Sequence, residues 1–333
     1  PAFIANRVGV YSMMALFHLI NEMGLTVEEV DKLSGPVLGR PKSATFRTGD
    51  VVGLDTLVHV ANGVKDSCPK DEENALFELP GYISTMVENK WLGSKSGQGF
   101  YKKVKAADGS SEIQVLDLKT LEYRSQNKVK FPTLDMAKSI DDLNQRTKML
   151  LMGMDKAGEF YRKIFGGLFA YVSNRIPEIT DDLYKIDDAL KAGFGWEIGA
   201  FESWNELGID AVIKDMKAAG IAVAPWVETM VAKGLSFYTT KNGKRYYYDI
   251  VTSDYVLIPG AESFIILSDF KEKTIWKNVA CNLVDIGDGV AGFSWNTKMN
   301  SIGGEVLEGL NKSIALAEEK YNGLVIANDS NLF

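Results

Sequence analysis

Residues 39–55 read GRPKSATFRTGDVVGLD, and about 155 positions later residues 195–210 read GWEIGAFESWNELGID. The landmarks around these two stretches are spaced alike. Eight positions separate Asp31 from Gly39 and Asp187 from Gly195; seven separate Phe46 from Gly53 and Phe201 from Gly208. The copies differ by one residue, between Gly39 and Phe46. Matched spacing over four landmarks makes internal duplication a better account than chance, and it sets the expected architecture of the chain.

Working outward from the first copy, Ile4, Val8, Tyr11, Ala15 and Leu19 recur at helical spacing, and Gly24 is a stop signal. Thr26 and Glu29 form a capping-box pattern at the start of a second helix. VGLDTLVHVANGV and PGYISTMVENKWLG read as further helices, after which KSGQGFYKKV turns and runs extended. Residues 1–103 are therefore expected to be a compact helical unit. Residues 104–145 read as a polar linker over the surface, with a short hairpin around LDLKTLEYR. The helical pattern resumes at Arg146, and residues 146–235 are expected to be a second, degenerate copy. From Gly234 the period changes to two. Residues 236–280 read as a β-hairpin connector turning at Asn242-Gly243. Residues 281–333 offer strands, a helix over Gly303–Lys320 and the strand GLVIAN, the opening of an α/β or α+β domain. The predicted fold class is mainly α with a duplicated helical domain, followed by a β-rich segment.

Composition excludes several functions. With 333 residues and 46% hydrophobic content the chain can bury the cores of roughly two domains. A net charge of −7 argues against nucleic acid as a partner. No apolar run approaches the roughly 20 residues of a membrane span. Cys68 and Cys281 are isolated, with no zinc-ligand spacing, so no metal is expected; they read as buried thiols in a reducing, cytoplasmic compartment. The chain opens PAFIANRV without a methionine and closes NGLVIANDSNLF on an apparent buried strand, so it is expected to be a piece of a longer protein.

Few motifs carry chemistry. GDGVAG (287–292) matches the dinucleotide pattern GxGxxG, but the residues after Gly289 read as strand rather than helix, so a hairpin turn is predicted. His18 and His59 lie in helical patterns with no serine or cysteine partner, which gives a hydrolytic triad no support. Asn6-Arg7 interrupts an apolar helix start. It fits either local capping with a surface arginine or an amide at the start of a buried helix, aimed into a cleft.

PAFIANRVGVYSMMAL resembles the PGFIxNR helix that opens the C-terminal domain of 3-hydroxyacyl-CoA dehydrogenases. VDKLSGPVLGRPKSATFRTGDVVGLD resembles that domain's helix, glycine-rich connector and GLD helix, and KSGQGFYKK its closing signature. The second copy is similar to the degenerate repeat of multifunctional fatty-acid oxidation proteins. WNTKMNSIGGEVLEGLNKSI with NGLVIAN resembles the start of an enoyl-CoA hydratase (crotonase-fold) domain.

The resemblance implies two helical units packed together, the first lining an acyl-CoA cleft and the second completing the architecture. It implies part of a fatty-acid β-oxidation enzyme that oxidises 3-hydroxyacyl-CoA with NAD, fused to a hydratase. Residue by residue, it makes Asn6 the catalytic asparagine that positions the 3-hydroxy group or the base, and Lys95 a lysine reaching toward NAD. Arg40, Pro41, Ser43 and Phe46 become lining for the acyl tail. Asn174-Arg175 stands ahead of Pro177, which terminates helices, and is read as a decoy. The expected partners are acyl-CoA, the Rossmann and hydratase domains of the same polypeptide, and a second copy in a homodimer. NAD is expected to be held mainly by a domain absent here, leaving this chain inactive alone. The rival reading is a non-catalytic helical scaffold that mediates assembly and binds acyl-CoA.

Overall fold

A computed structural model describes residues 2–105 and 109–328. Pro1, the opening residues 106–108 of the polar stretch and the last five residues of the 281–333 segment lie outside it. Two compact units divide at Phe237/Tyr238.

The first unit begins with α1 (Ile4–Glu22), buried on most of its circumference; Val8, Met14 and Phe17 are fully enclosed. α2 (Val27–Ser34) starts as expected: Thr26 Oγ1 accepts from the Glu29 amide and Glu29 Oε2 accepts from the Thr26 amide at 2.8 Å. Then come α3 (Phe46–Val52), α4 (Leu54–Ser67) and α5 (Gly81–Glu88). Here the unit stops being all helical. β1 (Tyr101–Lys105) pairs antiparallel with β2 (Ser111–Leu116), and β2 with β3 (Tyr123–Ser125). The hairpin read around LDLKTLEYR is thus the outer part of a three-stranded sheet, not an ornament on a linker.

After α6 (Pro132–Ala137) the helical pattern that resumes around Arg146 divides into α7 (Leu143–Leu151) and α8 (Lys156–Asn174). The reason is local. Asp155 caps α8 by accepting from the Gly158 amide at 3.0 Å and is itself held by Thr133 Oγ1 at 2.6 Å. α9 (Leu183–Phe194), α10 (Ala200–Leu207), α11 (Ile209–Ala218) and α12 (Pro225–Ala232) complete the unit.

The two landmark sets have matching local geometry. Asp31 accepts the backbone amides of Thr45, Phe46 and Arg47, which open α3. Asp187 accepts those of Phe201 and Glu202, which open α10. Gly39 (φ 65°) and Gly195 (φ 62°) both take the left-handed conformation, which glycine adopts at least cost, as do Gly53 and Gly208 at 95° and 96°. The two connectors meet: the Glu197 amide donates to the Gly39 carbonyl at 2.8 Å. α1 lies directly on α9, with Gly9 under the Phe194 ring and Gly193 against Ala5.

In the second unit β4 (Tyr238–Lys241) and β5 (Lys244–Asp249) form the expected hairpin, Asn242 and Gly243 at φ 53° and 70° making its turn. β6 (Asp254–Leu257) adds a third strand. In residues 236–280, read as a β-hairpin connector, SFIILSDF runs into a 3-10 stretch over Leu267–Lys273, because a short apolar run does not distinguish strand from helix. A second sheet orders β10–β9–β8–β7 from β7 (Thr274–Lys277), β8 (Cys281–Gly287), β9 (Val290–Trp295) and β10 (Gly323–Ile326). The helix α13 (Gly304–Lys320) crosses from β9 to the parallel β10 and buries Val306 against Cys281, Leu283 and Phe293.

Candidate functional site

In the first unit a cavity of about 420 Å³ opens between α1, the α2–α3 connector, α4 and the α9–α10 connector. Asn6, Arg40, Pro41 and Ser43 line it together. Val10, Met13, Leu16 and Leu57 supply apolar wall, and Phe194 and Trp196, at the end of α9 and the start of the α9–α10 connector, close one side. Phe46 and Lys95 do not line it. Phe46 is fully buried, its ring centroid 4.7 Å from that of Phe100 and 5.1 Å from that of Phe17. As the first residue of α3 it faces the core, while Ser43 in the turn before it faces the cavity. Lys95 is half-exposed on a turn and paired with Asp55.

Asn6 sits half-buried in the first turn of α1. It is not the cap: Phe3 holds that position with no side-chain hydrogen bond. The Asn6 amide has no hydrogen-bond partner among the described residues, so it is free to meet whatever enters the cavity. Arg7, for which the surface was one of two alternatives, is completely buried. Its Nε donates to Tyr171 Oη at 2.8 Å and its Nη2 to Asp71 Oδ2 at 2.6 Å. Arg175 reaches the same Asp71 oxygen at 3.2 Å, and Tyr171 stacks on Tyr11 at 3.7 Å. Asn174-Arg175, read as a decoy, ends α8 and turns its arginine into the ion-pair cluster at Asp71.

The electrostatics follow from burial. Desolvation raises the Asp31 carboxyl to about 6, against the hydrogen bonds it accepts from the three amides and from Tyr101. It likewise raises Asp50 to about 6, although Asp50 accepts the Phe100 and Tyr101 amides at 2.8 Å each. Arg40 is half-buried, and desolvation pushes its guanidinium down to about 10. It lies 3.9 Å from the Trp196 ring centroid.

Among the described residues no carboxylate, imidazole or thiol lines the cavity. The wall can bind and orient a chain with polar ends, but it contains no group suited to move a proton near neutral pH. His18 Nε2 lies 3.1 and 3.0 Å from the Leu76 and Glu78 carbonyls and tethers that turn, and His59 is exposed on α4. Gly287–Gly289 make the tight turn between the antiparallel strands β8 and β9, so GDGVAG is no phosphate cradle. Among the described residues no cluster suits a metal ion, and no helix is long and apolar enough to cross a membrane. Sequence reasoning missed Phe194 and Trp196. The signal was available: they flank Gly195, the landmark that repeats Gly39, and the two connectors face one another.

Residues 3–103 match the family described as 3-hydroxyacyl-CoA dehydrogenase, C-terminal domain. Over its whole length the chain is 39% identical to a probable 3-hydroxyacyl-CoA dehydrogenase of Bacillus subtilis (strain 168), of which it covers 42%. It is 24% identical over its whole length to a putative fatty acid oxidation complex trifunctional enzyme of Rickettsia prowazekii (strain Madrid E), again covering 42%. The mitochondrial hydroxyacyl-coenzyme A dehydrogenase of Rattus norvegicus is 33% identical over 102 residues, 31% of each chain. The chain thus spans less than half the length of the two relatives it matches from end to end.

Proposed function

We infer that this chain, which carries over residues 3–103 the C-terminal domain of the 3-hydroxyacyl-CoA dehydrogenases, supplies the substrate-side wall of an enzyme that oxidises 3-hydroxyacyl-CoA to 3-oxoacyl-CoA. The observation that carries the reading is the convergence of Asn6, Arg40, Pro41 and Ser43 on one largely apolar cavity. An acyl chain lies along Val10, Met13, Leu16 and Leu57, and the free Asn6 amide meets the oxygen at C3. That amide orients the reacting hydroxyl or the base beside it, and such positioning lowers the barrier without a proton changing hands at Asn6.

The described residues do not build a dinucleotide site, since the one glycine pattern of that type is a hairpin turn. NAD and the proton-accepting base therefore belong, on this reading, to other parts of the polypeptide. Lys95 remains a residue proposed to face that cofactor from outside the cavity, held meanwhile by Asp55. The matching geometry around Asp31 and Asp187 favours an ancient duplication, with residues 146–235 as a second copy that lends Phe194 and Trp196 to the first. The β8–β9–α13–β10 segment is proposed to open a hydratase domain of the crotonase fold. The name of the R. prowazekii relative, a trifunctional enzyme, supports such a fusion.

The test is NADH formation. The intact polypeptide incubated with NAD and 3-hydroxybutyryl-CoA or a longer homologue should produce NADH, and this chain alone should not. Absence of turnover by the intact polypeptide with every chain length, while acyl-CoA still binds, would favour the scaffold instead.

A further inference from the structure

Arg40 is the only charged residue lining the cavity among the described residues. Within the same set it has no ion pair and no hydrogen-bond partner. Arg40 is half-buried, and a cation partly withdrawn from water is stabilised by an anionic partner more than by an aromatic face alone. Its neighbours are already committed: Trp196 offers only its ring face, and Tyr161 Oη donates to the Leu33 carbonyl at 3.1 Å. The guanidinium is thus left without a protein acceptor beside a cavity whose remaining lining is apolar or neutral, and Arg40 also borders a smaller cavity with Glu22 and Lys163.

We propose that Arg40 makes this cavity a subsite for a ligand that ends in an anionic oxygen group, with an apolar chain behind it. Resting on the dehydrogenase role inferred for the chain, this means the enzyme favours acyl chains carrying a carboxylate at the end remote from the thioester. A phosphate of the carrier is the other source of the same chemistry. Either anion would take two parallel hydrogen bonds from the guanidinium, the geometry in which arginine exceeds lysine.

The cavity lies wholly within the first unit, so the subsite can be read on this chain by calorimetry without any turnover. Hexanoate, hexanol and inorganic phosphate serve as probes. Hexanoate is expected to bind at least about tenfold more tightly than hexanol, the usual range for one hydrogen bond to a charged group. Arg40→Gln should erase that difference, and Arg40→Lys should keep part of it. Arg40-dependent phosphate binding tighter than that of hexanoate would assign the anion to the carrier rather than to the chain end. Equal binding of hexanoate and hexanol to the unaltered chain would overturn the proposal, whether or not Arg40→Gln folds. So would a difference that survives Arg40→Gln. These outcomes are separate from dehydrogenase activity: a chain that binds hexanoate through Arg40, within a polypeptide that never reduces NAD, would fail the dehydrogenase role and keep the anion subsite.

Discussion

At Asp71 one buried carboxylate answers two buried arginines, Arg7 from α1 and Arg175 from the end of α8. Asp71→Ala would leave both cations short of their shared counter-ion and should cost about 3–5 kcal/mol, read as a shift in the urea midpoint. A loss under about 1 kcal/mol would mean that Glu178 and Glu72 carry the pair unaided. Asp31 and Asp50 make a second residue-scale prediction. Their folded-state pKa values near 6 lie above the ordinary value of 3.8. Each therefore adds stability that is fully present below about pH 4 and lost as pH rises through about 6. Carboxyl carbon titrations should show midpoints near 6, and the Tm of the unaltered chain should fall relative to that of Asp31→Asn between about pH 4 and 6. Midpoints below about 4 would contradict this. Asn6 was legible because it breaks an apolar helix start. The burial of Arg7 was not, since its partners Cys68, Asp71, Tyr171 and Glu178 lie 61 to 171 positions away.

The contact between α1 and α9 rests on glycine. A Cβ at Gly9 would come within 2.1 Å of the Phe194 ring. Gly9→Ala should therefore destabilise by about 1–3 kcal/mol, although alanine is the better helix former by about 1 kcal/mol. Adding Phe194→Ala should recover part of that loss, a coupling of about 0.5–3 kcal/mol in a denaturation cycle. A Gly9→Ala chain more stable than its parent would show that the helices stand further apart. Elements with local signals were readable in advance: the Thr26–Glu29 box, the Asn242-Gly243 turn, and the turn at Gly287–Gly289. Those set by distant neighbours were not. The extended run at β1 was readable but its pairing with β2 was not, and the break between α7 and α8 depends on Thr133, 22 positions before Asp155.

At the scale of the molecule, the cavity is walled by two connectors with similarly spaced landmarks, the α2–α3 and the α9–α10 connector. Gly39 and Gly195 bring their connectors together, and Arg40 meets Trp196 there. Spacing in the sequence matched the two sets of landmarks; only packing reveals that Gly39 and the Gly195 connector face one another. Phe46 shows the converse limit, because a connector's sequence does not say which of its residues turns inward. The most direct test is Asn6→Ala in the intact polypeptide, with kcat for 3-hydroxyacyl-CoA oxidation and thermal unfolding measured on one preparation. If the amide orients the reacting group, kcat should fall about 100- to 1,000-fold, a loss of about 2.7–4 kcal/mol of transition-state stabilisation, with Tm nearly unchanged. A near-normal kcat with a lowered Tm would make Asn6 a structural residue and remove it from the site.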